Sequence, residues 1–146
     1  VKVHTIEKIQ AAVQWYATIP PDFNDIGQLM EARRRLACHL FNFAIEVGEL
    51  NREKNRTEHL RKSKYARIVN ETLAKTDGKN VASAQQSADF QTSFERGEEG
   101  AAEAAYFAGR LIYDAGTNVL DTMNQHISNL KKERSMEFTG QGSQTN

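Results

Sequence analysis

Apolar residues recur at helical spacing along almost the whole chain. In the opening stretch Ile6, Ile9, Val13 and Tyr16 stand three and four residues apart, which predicts one amphipathic helix over about 4–18. Pro20 and Pro21 end it, because the residue before a proline is pushed out of the helical region. Asn24 or Asp25 can cap the next helix. That helix is expected from about Asp25 to about Lys75. Within it Leu29, Leu36, Phe43 and Leu50 recur every seven residues, with Leu40 and Val47 between them. This is a coiled-coil-like seam. It thins after Leu50, where Leu60 is the one large apolar residue before Tyr65, Ile68, Val69 and Leu73 restore the stripe.

Thr76-Asp-Gly-Lys-Asn80 reads as a turn, with Gly78 supplying a positive φ. A third helix is expected over about 81–135, with Ser83 as a candidate cap. It carries Ala101, Ala105, Ala108, Ile112, Ala115, Val119, Met123, Ile127 and Leu130 at alternating spacings of three and four. Gly97, Gly100, Gly109 and Gly116 each weaken that helix by about 1 kcal/mol against alanine, so packing has to hold it. Folding the chain about Gly78 sets Leu50 opposite Tyr106, Phe43 opposite Tyr113 and Leu29 opposite Ile127. The basic segment 51–64 then opposes Glu95, Glu98, Glu99 and Glu103. The expected fold is all-α: a long antiparallel helical hairpin with a short N-terminal helix, coiled-coil-like and homo-oligomeric. The expected seam, shared by the core and the oligomer, is Leu29, Leu36, Leu40, Phe43, Val47, Leu50, Ile112, Val119, Met123 and Ile127. Residues 1–138 read as one helical domain, and 139–146, rich in Gly, Ser, Gln and Thr, as a disordered tail.

Composition adds limits. Nineteen basic residues balance nineteen acidic ones, so a nucleic-acid reading has to come from local clustering. The lone Cys38 rules out an intrachain disulfide framework and a cysteine zinc cluster. It is expected to be a small core residue in a reducing cytoplasm. No stretch reaches the length of an apolar membrane span, and no signal peptide is visible, so a cytoplasmic protein without a membrane partner is expected.

The densest charge cluster is Arg52, Lys54, Arg56, Arg61, Lys62, Lys64 and Arg67, opposed within the run only by Glu53 and Glu58. Cations in this density contact phosphates, and Tyr65 beside them can stack on a base. The alternative is a solvated face laced to the acids of the third helix. Helical geometry keeps Lys54, Arg61, Lys64 and Tyr65 near the seam, with Arg61 across from Glu95. It turns Arg52, Arg56, Lys62 and Arg67 outward. Arg33, Arg34 and Arg35 spread around their helix and suit salt bridges. Lys131, Lys132 and Arg134 suit a helix C-terminus.

Catalytic and metal signatures are absent from the sequence. His4, His39, His59 and His126 form no Glu-x-x-His or His-x-x-x-His pair, so no metal or other cofactor is expected. Gly97-Glu-Glu-Gly100 lacks the lysine and strand of a phosphate loop. No nucleophile–base pattern occurs, and an enzyme is not expected.

The run Leu60-Arg-Lys-Ser-Lys-Tyr-Ala-Arg67, the glycine turn, the alanine-rich helix and the closing Met-x-x-x-Ile-Ser-x-Leu-Lys-Lys pattern of Met123–Lys132 together resemble the phage recombination mediator family UvsY. The resemblance covers roughly 29–134. It implies a small helical oligomer that binds single-stranded DNA and helps a RecA-like recombinase displace single-strand-binding protein. It also implies a host-cytoplasm setting and DNA contacts at Arg61, Lys62, Lys64 and Arg67. The residue reading adds Arg52, Arg56 and Tyr65. The rival expectation is a helical oligomeric scaffold or adaptor, such as a phage assembly component, without nucleic-acid binding.

Overall fold

Four helices, α1 (Val3–Thr18), α2 (Ile26–Lys75), α3 (Val81–Gln91) and α4 (Ser93–Gln141), account for nearly all of the chain in the computed structural model, which describes residues 3–141. The expected fold class is seen: α2 and α4 pack antiparallel, with α1 the short N-terminal helix. The third predicted helix is divided at Thr92. Residues 139–141, expected to be disordered, continue α4, and 142–146 lie outside the described residues. No described helix is long and apolar enough to cross a membrane.

The chain forms two compact units, 1–46 with 111–146 and 47–110. Both α2 and α4 contribute to each. In the first unit α1 stops at Thr18, whose hydroxyl donates to the Trp15 carbonyl at 2.8 Å just before the two prolines. Asp25 is the residue that caps α2: its Oδ1 accepts from the Gln28 amide at 3.0 Å, which satisfies one of the orphan donors of a helix N-terminus. Leu29, Leu36, Leu40 and Phe43 of α2 are buried with Ile9 of α1 and with Met123 and Ile127 of α4. Ile112 and Val119 are half-buried. Gly116 marks a close approach of the three helices, because a Cβ there would stand 2.6 Å from Leu40 Cδ2 and 3.2 Å from Ile9 Cγ2. The glycine that weakens α4 locally is thus what lets α4 pack.

Polar ties complete this unit. His126 has both ring nitrogens engaged, Nδ1 at 3.3 Å from the Tyr16 hydroxyl and Nε2 at 2.9 Å from the Phe23 carbonyl. Arg33 donates to Asn124 Oδ1 at 3.2 Å. Glu31 holds both Arg34 and Arg35, the salt-bridging use expected of that arginine cluster. Arg134 donates to the Asn24 carbonyl at 3.3 Å. Cys38, expected inside, is exposed. It lies on the face of α2 opposite the Leu36–Leu40 seam, two residues from each, at about 100° per residue.

The second unit turns at 76–80. The Gly78 amide reaches back to the Leu73 carbonyl at 2.9 Å, and both Asp77 (φ 49°) and Gly78 (φ 75°) occupy left-handed conformations. This six-to-one closure satisfies a terminal carbonyl of α2. Asn80, not Ser83, caps α3; its Oδ1 accepts from the Ser83 amide at 3.1 Å. At Thr92 the backbone leaves helical geometry (φ −102°, ψ 11°), and the buried hydroxyl donates to the Ala88 carbonyl at 2.7 Å. A threonine bonding back to the carbonyl four residues earlier competes with the helical ladder and bends it. The seam here is small and polar. Ala84, Ala88 and Thr92 are buried from the α3 side, and Thr57 and Ile68 from α2, while Val47 and Leu50 are half-buried.

Candidate nucleic-acid interface

The basic run lies on α2 within the second unit, and the helix sorts it into two populations. Lys54, Arg61, Lys64 and Tyr65 are half-buried. Arg61 forms a two-point pair with Glu99 across the seam, and Lys64 meets Glu95 at 2.5 Å. Arg61 was expected opposite Glu95. Arg61 instead takes Glu99, one turn further along α4, and Lys64 takes Glu95. The Arg61 guanidinium is held above its ordinary pKa by its hydrogen bond to Glu99. The Glu95 carboxyl is held below its ordinary value by Lys64. Lys54 sits over the rings of Tyr106 and Phe107 at 5.4 and 5.9 Å. These three cations are engaged within the hairpin.

Arg52, Arg56, Lys62 and Arg67 are exposed. At about 100° per residue, Arg52, Arg56 and Arg67 fall within about 60° of one another around α2. Lys62 leaves this ridge, about 100° round from Ser63, and Tyr65 faces about 160° away from Arg67. The sequence-predicted set therefore does not converge: three arginines share a face, Lys62 stands apart, and Tyr65 is turned away from them. Ser63 is exposed on the arginine ridge, and as an uncharged residue it carries no mark in the charge pattern. Its spacing of seven from Arg56 and four from Arg67 was the signal available.

Each outward cation but one has an acidic neighbour on its own helix. Arg56 grips Glu53 at 2.6 and 2.8 Å, Lys62 meets Glu58 at 2.5 Å, and Arg67 lies 3.9 Å from Glu71. The hydrogen bonds from Arg56 and Lys62 hold the Glu53 and Glu58 carboxyls below their ordinary pKa. Arg52 has no ion pair among the described residues. Exposed pairs at this spacing are weak and screened by salt, so a phosphate can compete for the guanidinium. Among the described residues no three His, Cys, Asp or Glu side chains gather as a metal site.

No family model, curated protein or solved structure matches the chain.

Proposed function

We propose that this protein is an oligomeric accessory of recombination that binds single-stranded DNA and helps load a RecA-like recombinase, with no catalytic chemistry of its own. The ridge of Arg52, Arg56 and Arg67, exposed with Ser63 on one face of α2, carries the reading. Guanidiniums spaced along one helix face can follow a phosphate backbone without reading sequence. The pattern that resembles the recombination mediators supplies the role in recombinase loading and the single-strand-binding protein as the competitor.

The test is anisotropy of labelled single- and double-stranded oligonucleotides across a salt series. Preference for single strands is expected. Because each phosphate contact on a single strand contributes about −0.7 to the slope of log affinity against log salt, Arg52→Glu with Arg56→Glu and Arg67→Glu should flatten that slope by about 2 and weaken binding at least tenfold at low salt. A folded triple variant with the affinity and salt slope of the parent would remove the ridge from the interface.

A second reading, a self-associating scaffold without nucleic acid, is favoured by a strip on α2 in the first unit. Met30, Phe41 and Ile45 are 39%, 70% and 57% exposed, and with Ala37 they follow one helix face away from the core. Sedimentation of Phe41→Asp separates the two readings. Loss of self-association with DNA binding absent in the parent selects the scaffold.

A further inference from the structure

Within the first unit, α1 and the start of α2 enclose a groove of about 560 Å³. Its floor is built of small residues, Ala11, Ala12, Gly27 and Ala32. Small side chains leave room for a flat group, and the volume falls within the range of small-ligand sites, about 300–1,000 Å³. Trp15 forms one wall. Phe23 meets its ring edge-on, at 5.9 Å and 89° between planes, which fixes the indole in orientation.

The rim is cationic. Lys8 of α1 and Arg35 of α2 supply its charge, and the imidazole of His39 lies beside them. Lys8 is exposed and makes no ion pair among the described residues. The one carboxylate in the lining, Glu31, is shared between Arg34 at 3.0 Å and Arg35 at 2.7 Å, so its charge is offset twice over. Burial, and then Lys8, His4 and Arg35 in that order, keep the His39 imidazole below its ordinary pKa. The groove thus joins an aromatic wall, small apolar residues and a cationic edge at Lys8, which makes no ion pair among the described residues, and Arg35, which shares Glu31 with Arg34. An aromatic ring carrying an anion matches all three, and a nucleotide is that chemistry: a base stacks on an aromatic side chain while the adjoining phosphate meets the cations.

We propose that this groove seats one nucleotide of a bound single strand, its base against Trp15 and its phosphate at Lys8 and Arg35. The proposal rests on the single-strand-binding reading above and adds a contact point separate from the arginine ridge.

Trp15 is the only tryptophan of the chain, so intrinsic fluorescence reports on this groove. The full chain is titrated with oligothymidylate while tryptophan quenching and the anisotropy of a labelled strand are followed in parallel. Thymidine 5′-monophosphate and inorganic phosphate serve as separate probes. Saturable quenching at the concentrations where anisotropy rises is expected. Lys8→Glu, at an exposed position, should weaken the quenching midpoint at least tenfold with unchanged helicity by circular dichroism. The triple arginine variant should keep the quenching at higher strand concentration. The monophosphate should quench weakly and phosphate not at all. Anisotropy without quenching, or quenching indifferent to Lys8→Glu, would overturn the groove and leave the ridge standing. Quenching by the monophosphate but not by the oligonucleotide would overturn the strand assignment. Silence in both signals would remove the groove and the single-strand reading together.

Discussion

Replacing Gly116 with alanine tests the packing of the first unit at a tight point. The new Cβ would stand 2.6 Å from Leu40 Cδ2, 3.5 Å from Leu40 Cγ and 3.2 Å from Ile9 Cγ2. Leu40 is 4% exposed and Ile9 1%, so neither side chain can swing into solvent to make room. Overpacking a filled core costs about 1–3 kcal/mol, and a contact this close belongs in the upper half of that range. Alanine returns about 1 kcal/mol through its better helix propensity. The net expectation is a loss of about 1–2 kcal/mol. Gly100→Ala is the matched control. It lies in the same helix with nothing within 4 Å of the added atom, so the propensity gain of about 1 kcal/mol should appear undiminished. Urea unfolding at constant m-value measures both. A Gly116→Ala protein as stable as Gly100→Ala would show that the three helices do not meet there as described. Leu40→Ala should cost less in the Gly116→Ala background than in the parent, because the removed methyls are the ones in conflict, and a double-mutant cycle reads that coupling directly.

Three further outcomes are expected. The Arg61–Glu99 pair, with side chains only 21% and 19% exposed, should show a coupling on the order of 1 kcal/mol in a double-mutant cycle. The exposed Arg56–Glu53 pair should show less, and equal couplings would deny the difference in burial. Asn80→Ala should cost about 1 kcal/mol of stability as a lost helix cap, while Ser83→Ala, whose side chain has no capping role, should stay within about 0.5 kcal/mol; the reverse order would return the cap to Ser83. Stability should fall with acid in two stages, followed as thermal midpoints between pH 8 and pH 3. His39 is held below its ordinary 6.5 by burial and by Lys8 and His4 of α1 and Arg35 of α2, so the unfolded chain takes up its proton first and stability declines as pH drops below 6.5. The carboxyls of Glu53, Glu58 and Glu95 are lowered, and that of Glu31 falls to about 2 through its bonds to Arg34 and Arg35. Their contribution is present above 4.5 and is lost as pH falls through the folded values. A midpoint flat between pH 7 and pH 5 in the parent, or unchanged there by His39→Gln, would contradict the first stage.

Periodicity carried most of the architecture. The heptad run from Leu29 to Phe43 needed a partner face, Met123 and Ile127 supplied one, and Gly78 placed the reversal between them. The division at Thr92 was not legible. Threonine is an ordinary helix resident, no proline or glycine marks the break, and the return bond of the Thr92 hydroxyl recurs at Thr57, Thr72 and Thr117 inside unbroken helices. Folding about Gly78 placed Arg61 opposite Glu95, and it pairs one turn further on, with Glu99. Cys38 was misplaced because its apolar neighbours in sequence belong to another face. Charge clustering found the segment of the candidate interface, and the 3.6-residue turn divided it into the half-buried Lys54, Arg61, Lys64 and Tyr65 and the exposed Arg52, Arg56, Lys62 and Arg67. What that division left out is that Lys62 stands apart from the ridge of three arginines. The groove at Trp15 escaped notice because its parts come from two helices and are unremarkable singly.

The seam of the hairpin end has a temporal consequence. Among the described residues seven large apolar side chains are buried in the first unit, whereas Ile68, Ala84 and Ala88 are the buried apolar residues of the second. The second unit relies in addition on two ion pairs between α2 and α4 and a cation over two rings. Local opening costs least where apolar burial is thin and the ties are electrostatic. Amide protons along 84–99 are therefore expected to exchange sooner than those around Phe43 and Met123. Rising salt should shorten their lifetimes while leaving the slower set unmoved, so that one continuous helix would keep two clocks.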